Sequence, residues 1–565
     1  MSTSAGILTV GLAACAALAA PLPREAHDAG TVYLGAIVGQ DWGRPVTSGD
    51  LDGDGYDEII VAASKASGGF TSRVYVMRGG AEANSRGPLD LSTSGIDQVI
   101  LGVSPDDNLG ASMATGDVNG DEIDDLLLCA SAATFGDRVW AGEAYVIFGG
   151  AGFFDSPTRD LSVDANWDMR IGGPVASGDM GGANMFGGLD THAAAIGRLN
   201  NDQYGDIIVG VHLADGGASQ AGRVYVIFGA PYPSGFTWNL ALTTGYDVRI
   251  DGDDNGDEFG DCVTAGDITG DGIDELIVPN ELFSQYLFDS EGSVHIFRGR
   301  ATWSKNYSIA TAPADITLLG DRKYDSLGAA AVVGDFNGDT VLDLAAAAPG
   351  ADAGAHTTQR GDGFVYGLLG SAAYQTGTHT IDYATATPDF LLVGEHEENL
   401  GAELSAGDFN GDGFADIAAA QRFGGPATNG TVDVLFGRSF IGNPTFTANV
   451  DTDVRIVGAA QDRIGFSMGA ADVDSNGVDE VVFGTPFNNG DYPDEAGTVY
   501  VFDLLDGDYD GDGDRDLADF AAFQQCLASL LPAGEHCYIF DDDHDGLVDL
   551  DDLPAFVDAL TGPTP

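Results

Sequence analysis

Lysine is nearly missing from this chain, with three residues, at 65, 305 and 323, among 565. Basic side chains number 23 against 88 acidic ones, a formal net charge of −65. A surface this negative repels phosphate backbones and anionic headgroups, so nucleic acid and acidic membranes are excluded as partners. Beyond the first twenty residues no apolar run is long enough to span a bilayer. The nine histidines show no zinc spacing. The five tryptophans, at 42, 140, 167, 238 and 303, recur in no common phase, so a repeated sugar-stacking surface is unsupported. No phosphate-binding loop is present, nor a carboxylate pair separable from the acidic loops described next.

What is abundant is glycine and aspartate in a fixed order. Gly49 to Ala63 reads GDLDGDGYDEIIVAA. A bare acidic run would be a solvated tail. Here oxygen-bearing residues alternate at positions 1, 3 and 5, glycine stands at 6, another acid at 9, and an apolar strand-like run follows. Hard cations take six to eight oxygens, and a tight loop can aim alternate side chains at one. The loop therefore predicts a calcium site made by Asp50, Asp52, Asp54, the Tyr56 carbonyl and Glu58. No acid stands at position 12, which separates it from an EF-hand loop.

The motif returns with first positions at 50, 117, 198, 267, 335, 408 and 472. The second copy offers Asp117, Asn119, Asp121, Ile123 and Asp125; the fourth Asp267, Thr269, Asp271, Ile273 and Glu275. The fifth offers Asp335, Asn337, Asp339, Val341 and Asp343; the sixth Asp408, Asn410, Asp412, Phe414 and Asp416; the seventh Asp472, Asp474, Asn476, Val478 and Glu480. In each the seventh position contributes through its carbonyl. Copies one and six carry the strongest ligand sets, and copy four has only the Thr269 hydroxyl at position 3. The third copy is worn: Arg198 stands at position 1 and Gln203 at position 6. A guanidinium can pair with two carboxylates, so Arg198 is expected to fold over Asp202 and Asp206 in place of an ion; the alternative is that it points to solvent and the loop is merely degenerate.

Strand signals keep phase with the loops. A Gly-small strand precedes each, as in LGASMATG (109–116); a short apolar strand follows, such as IIVAAS (59–64); then a Gly-led strand such as GRVYVIFG (222–229); then a fourth such as DVRIDG (247–252). Four short strands, seven times, predict a β-propeller. The seventh repeat lacks its fourth strand, and TVYLGAIVG (31–39) is placed to supply it and close the ring. Over residues 31–503 the chain resembles the FG-GAP repeats of the integrin alpha-chain propeller and its bacterial secreted homologues. Phe259-Gly260 and Gly465-Phe466 stand before loops, and Ala348-Pro349-Gly350 and Gly484-Thr485-Pro486 after them. The resemblance implies calcium on one propeller face and partner docking on the other.

Two further loops follow. DYDGDGDRDLAD (508–519) and DDDHDGLVDLDD (541–552) have acids at 1, 3, 5, 9 and 12 and glycine at 6, the EF-hand spacing. Their ligands are Asp508, Asp510, Asp512, Asp514, Asp516 and Asp519, then Asp541, Asp543, Asp545, Leu547, Asp549 and Asp552, with Asp514 and Leu547 acting through their carbonyls. Each runs into a helix-like apolar segment, so residues 506–561 resemble a dockerin module. Loop positions 10 and 11 are Leu517-Ala518 and Leu550-Asp551 rather than hydroxyl residues, which puts a cohesin-like receptor in doubt. Cys526 and Cys537 lie close in sequence and would suit a disulfide there. Cys129 and Cys262 fall in expected strands and read as buried thiols.

Residues 1–20 read as a secretory signal, GILTVGLAACAALAA with Ala17-Leu18-Ala19 at its end; Leu12-Ala13-Ala14-Cys15 also fits a lipoprotein box. Gly465-Phe466-Ser467-Met468-Gly469 matches the nucleophile elbow but is followed by an acidic loop, not a helix, and Arg360-Gly361-Asp362 precedes an expected strand. The expectation is thus an all-β protein, a seven-bladed propeller of four-stranded blades with a small α-helical paired calcium-loop domain after it. It would be a secreted, non-enzymatic binding or adhesion module holding about six calcium ions in the propeller and two in the tail. It would bind an extracellular protein or glycan and be tethered through the tail. An extracellular polysaccharide-active enzyme or cellulosome-like component with a site at the propeller channel is the alternative.

Overall fold

In a computed structural model of the chain, the second strand of each repeat is buried throughout and apolar after its first residue or in its middle. Glu58–Ala63, EIIVAA, is buried at every position. Such a strand needs cover on both faces, and the cover comes from neighbouring blades. Ile60 and Ala62 pack with Met113, Leu126 and Leu128 of the next blade, while Ile59 and Val61 pack with Val482, Val499 and Val501 of the last. The core is therefore a series of apolar layers between sheets.

The structure describes residues 24–25, 31–35 and 43–504, except 64–70, 81–82, 84–88, 91–94, 183–191, 283–290, 353–360, 396–397, 426–428, 443, 459–462 and 486–496. The expected signal at 1–20, the dockerin-like segment 506–561 and the Cys526–Cys537 pair lie outside the described residues. Among the described residues the regular structure is β-strand with two single-turn 3-10 helices, Asp164–Asn166 and Ala372–Gln375. None of their helices is long and apolar enough to cross a membrane.

Seven sheets form. Blade one contains Val46–Gly49, Glu58–Ala63, Arg73–Met77 and Gln98–Leu101 from the channel outward, joined antiparallel. The innermost strands of the seven blades touch their neighbours in order, and the last, Ser467–Ala471, touches the first, Val46–Gly49, so the ring is closed. The expected closing strand is present: Thr31–Leu34 pairs antiparallel with Thr498–Phe502 of blade seven.

The blades have five strands rather than the expected four. The connection between the third and fourth strands of each repeat lays a short segment parallel to the outer edge of the preceding blade. Thr158–Asp160 does so on blade one and Phe236–Asn239 on blade two. On blade six that role falls to Arg24–Glu25, and on blade seven to Leu89–Asp90. Each outer edge thus gains a backbone partner from the next repeat, which removes an open ladder.

Candidate functional site

The acidic loops join the innermost strand of each blade to the second, so all seven open on one face around the channel. Position 2 is an apolar anchor: Leu51, Val118, Leu199, Ile268, Phe336, Phe409 and Val473 are fully buried. Position 4 turns left-handed in every copy, from Gly53 (φ 78°) and Asn201 (φ 65°) to Ser475 (φ 57°). Position 6 does so in six copies, including Glu122 (φ 68°) and Thr340 (φ 72°), where a side chain is strained. Gln203 of blade three is the exception.

Within the loops the first carboxylate is a hub for backbone donors. Asp50 Oδ1 accepts from Gly53 N at 2.8 Å and Asp54 N at 3.1 Å, and its Oδ2 from Gly55 N at 3.0 Å. Asp117, Asp267, Asp335, Asp408 and Asp472 repeat this on the N–H groups of positions 5 and 6. The acid at position 9 is buried at the base of the loop and accepts from its start: Leu51 N to Glu58 Oε2 at 2.8 Å, Val473 N to Glu480 Oε2 at 2.9 Å. Burial, reinforced by neighbouring loop acids, raises Glu58 and Glu275 to about 8 and Glu480 to about 9. Burial likewise raises Asp125, Asp206 and Asp343 to about 7 and Asp416 well above its usual range. A carboxylate held in this way demands a proton or a cation beside it.

The loops differ in what they gather. Asp50, Asp52 and Glu58 bring one oxygen each within 4.8 Å of one another, and so do Asp267, Asp271 and Glu275. Blade four thus gathers three carboxylates despite having only Thr269 at position 3. The reason is length. Glu275 reaches the centre, whereas the shorter Asp125, Asp206 and Asp343 accept N–H groups behind the third strand, from Gly149, Gly229 and Gly370. In blade one Arg78 also pairs with Asp52 at 3.2 Å.

Blade three departs from expectation. Arg198 is exposed, and among the described residues no ion pair joins it to Asp202 or Asp206. Asp206 already accepts from Leu199 N at 2.8 Å and Gly229 N at 2.9 Å. The Arg198 backbone N–H donates to Asp274 of blade four at 2.7 Å. Its residue lines a cavity of about 450 Å³ with Asp117, Glu122, Asp124 and Asp274.

The sequence reading missed position 8. Its backbone N–H donates to the position 1 carbonyl of the preceding blade in all seven copies, from Asp124 to Asp50 (3.2 Å) round to Asp57 to Asp472 (3.1 Å). Asp57, Asp274 and Asp479 also accept the position 1 N–H of that blade. Only the recurrence of Asp at that position in four copies hinted at it. Cys129 is a buried free thiol in a strand; Cys262 is buried but precedes its strand. Ser467 is buried and accepts a hydrogen bond from Val46 N at 2.9 Å, a structural role. Of the Arg360-Gly361-Asp362 tripeptide, Arg360 lies outside the described residues.

At the opposite end of the channel His192 of blade three contacts Glu403 of blade six, and Arg422 lies 3.7 Å from Glu403. The buried Glu281 stands near Arg422 and Glu258; burial first, then Glu258, raises it to about 7.

The FG-GAP repeat profile matches residues 42–77, 327–368 and 400–435, so the chain carries FG-GAP repeats. It is 26% identical over 220 residues to phosphatidylinositol-glycan-specific phospholipase D of Bos taurus, covering 38% of this chain and 24% of that protein. It is 31% identical over 176 residues to integrin alpha-IIb of Mus musculus, covering 30% of this chain and 15% of that protein. The match therefore spans a quarter or less of these relatives. Among solved structures, the exotype rhamnogalacturonan lyase YesX superposes with a TM-score of 0.36 at 12% identity, covering 86% of this chain and 75% of that one.

Proposed function

We infer that the protein is a secreted binding or adhesion module whose propeller is stabilised by calcium in the acidic loops and whose dockerin-like tail tethers it. The observation that carries the reading is the set of in-phase loops on one face, each with a buried acid at position 9. Six loops also have an acid hub at position 1. Clustered carboxylates of this kind repel without a cation, and an ion that binds only the folded state stabilises it by mass action. The ligand is an extracellular protein or glycan docking away from the loops, by analogy with the integrin alpha-chain propeller. Chelator is expected to lower the melting temperature by more than about 10 °C, on the order of several sites at 1–3 kcal/mol each. An unchanged melt in excess chelator overturns the reading.

A second reading is favoured by one observation. His192, Glu403, Arg422 and Glu281 converge in the channel from blades three, four and six, a grouping of acid, base and cation suited to polysaccharide chemistry. A depolymerisation screen with wild type beside Glu403→Gln, run next to a glycan-binding array, separates the two. Turnover abolished by the substitution selects the enzyme.

A further inference from the structure

The segment joining the fourth strand of blade three, Val248–Asp251, to the first strand of blade four, Thr264–Gly266, reads GDDNGDEFG at 252–260. It lies on the face opposite the seven acidic loops, because it connects the other ends of the strands. Asp253, Asp254 and Asp257 there bring one carboxylate oxygen each within 4.8 Å of one another. Asp257 is 5% exposed, yet its Oδ2 accepts no hydrogen bond; Asp253 Oδ1 is buried and equally unsatisfied. No Lys or Arg pairs with any of the three among the described residues. The neighbouring arginines 223 and 249 are both engaged by Asp251, at 2.8 Å.

The backbone holds this arrangement rigidly. Gly256 N donates to Ser219 O at 3.1 Å, Glu258 N to Gln220 O at 3.2 Å and Phe259 N to Ala221 O at 3.0 Å, while Asn255 Oδ1 accepts from Ser219 N at 3.0 Å. Gly256 takes a φ of 76° that returns the chain, carrying Asp257 back towards Asp253. A buried carboxylate with no donor and two acidic neighbours is costly unless a cation completes it. Oxygens bound about 2.4 Å from one hard cation lie no more than about 4.8 Å apart.

We propose that Asp253, Asp254 and Asp257 form a further divalent-cation site, of calcium type, on the face opposite the acidic loops. An all-carboxylate donor set selects a hard cation over zinc or copper. The site is independent of the loop sites and survives if they prove empty.

The test uses the full-length protein. Crystals soaked in Mn²⁺ should show an anomalous peak among the three carboxylates. Calcium counting after dialysis should find one ion fewer per chain in Asp257→Ala than in wild type. Asp254 is exposed, so Asp254→Ala keeps the fold and carries the count if Asp257→Ala does not express; it should also lose one ion. An unchanged ion count in Asp254→Ala, or no peak at the trio in crystals whose acidic loops are occupied, overturns the proposal. A peak at the trio with empty loops supports it while removing the loop reading.

Discussion

His192 Nε2 meets a carboxylate oxygen of Glu403 across the channel, joining blade three to blade six. Glu403 is fully buried, and Arg422 stands on its other side. Burial opposes a charge on His192, but the Glu403 carboxylate and its hydrogen bond prevail and raise its pKa.

A raised histidine pKa fixes the sign of a pH effect. The folded state holds the proton more tightly than the unfolded chain, whose histidine titrates near about 6.5. The contribution is complete below that pH and is lost as pH rises through the folded value. Glu403→Gln should therefore cost about 1–3 kcal/mol below pH 6 and less at pH 9. Urea denaturation of both proteins across that range checks it; a pH-independent difference counts against the ion pair.

Thr340 carries a β-branched side chain at φ 72°. Thr340→Gly is expected to stabilise the protein by about 1 kcal/mol, because glycine accepts this conformation without strain. Thermal melts at fixed calcium measure it, and a lower melting temperature refutes it.

In blade three the side chain at position 1 and the acid at position 9 should part company. Arg198→Ala is expected to change stability by less than about 0.5 kcal/mol, since the side chain is exposed. Asp206→Ala leaves the N–H groups of Leu199 and Gly229 without their acceptor and should cost about 2–4 kcal/mol. Equal losses in the two variants would mean that Arg198 does bind the loop.

Removing residues 24–35 strips blade seven of Thr31–Leu34 and blade six of Arg24–Glu25. Val32 and Tyr33 are 5% and 1% exposed, so about 3–6 kcal/mol of apolar burial goes with them. The bared edge of Thr498–Phe502 should also recruit other chains. Light scattering and thermal melts should show association and a lower melting temperature; a monomer with an unchanged melt would place closure elsewhere.

The parts legible in the sequence were those written in side chains. Short apolar and Gly-led runs marked the strands, and the carboxylate spacing marked the loops, both local signals that recur in phase. The fifth strands were not legible, because segments such as TRD (158–160) are short, polar and held by backbone bonds to another repeat. The position 8 N–H to carbonyl ring was hidden for the same reason, since it is blind to residue type. Arg198 misled because its charge suggested a partner within its own loop, while the fold turned it outward. The trio around Asp257 has none of the loop spacing, and only its burial sets it apart from other acidic turns.

Closure by the first strand has a consequence for synthesis. Thr31 finds its partner, Val501, only after the rest of the propeller has been made. At about 5–20 residues per second, that wait is about 25–95 s. Throughout it, Val32 and Tyr33 have no blade to enter, and each completed sheet has an apolar flank awaiting its neighbour. A ribosome-bound chain of this design is therefore a client for holding factors until its last blade emerges, and a stall late in the message would release an open, adhesive arc in place of a ring.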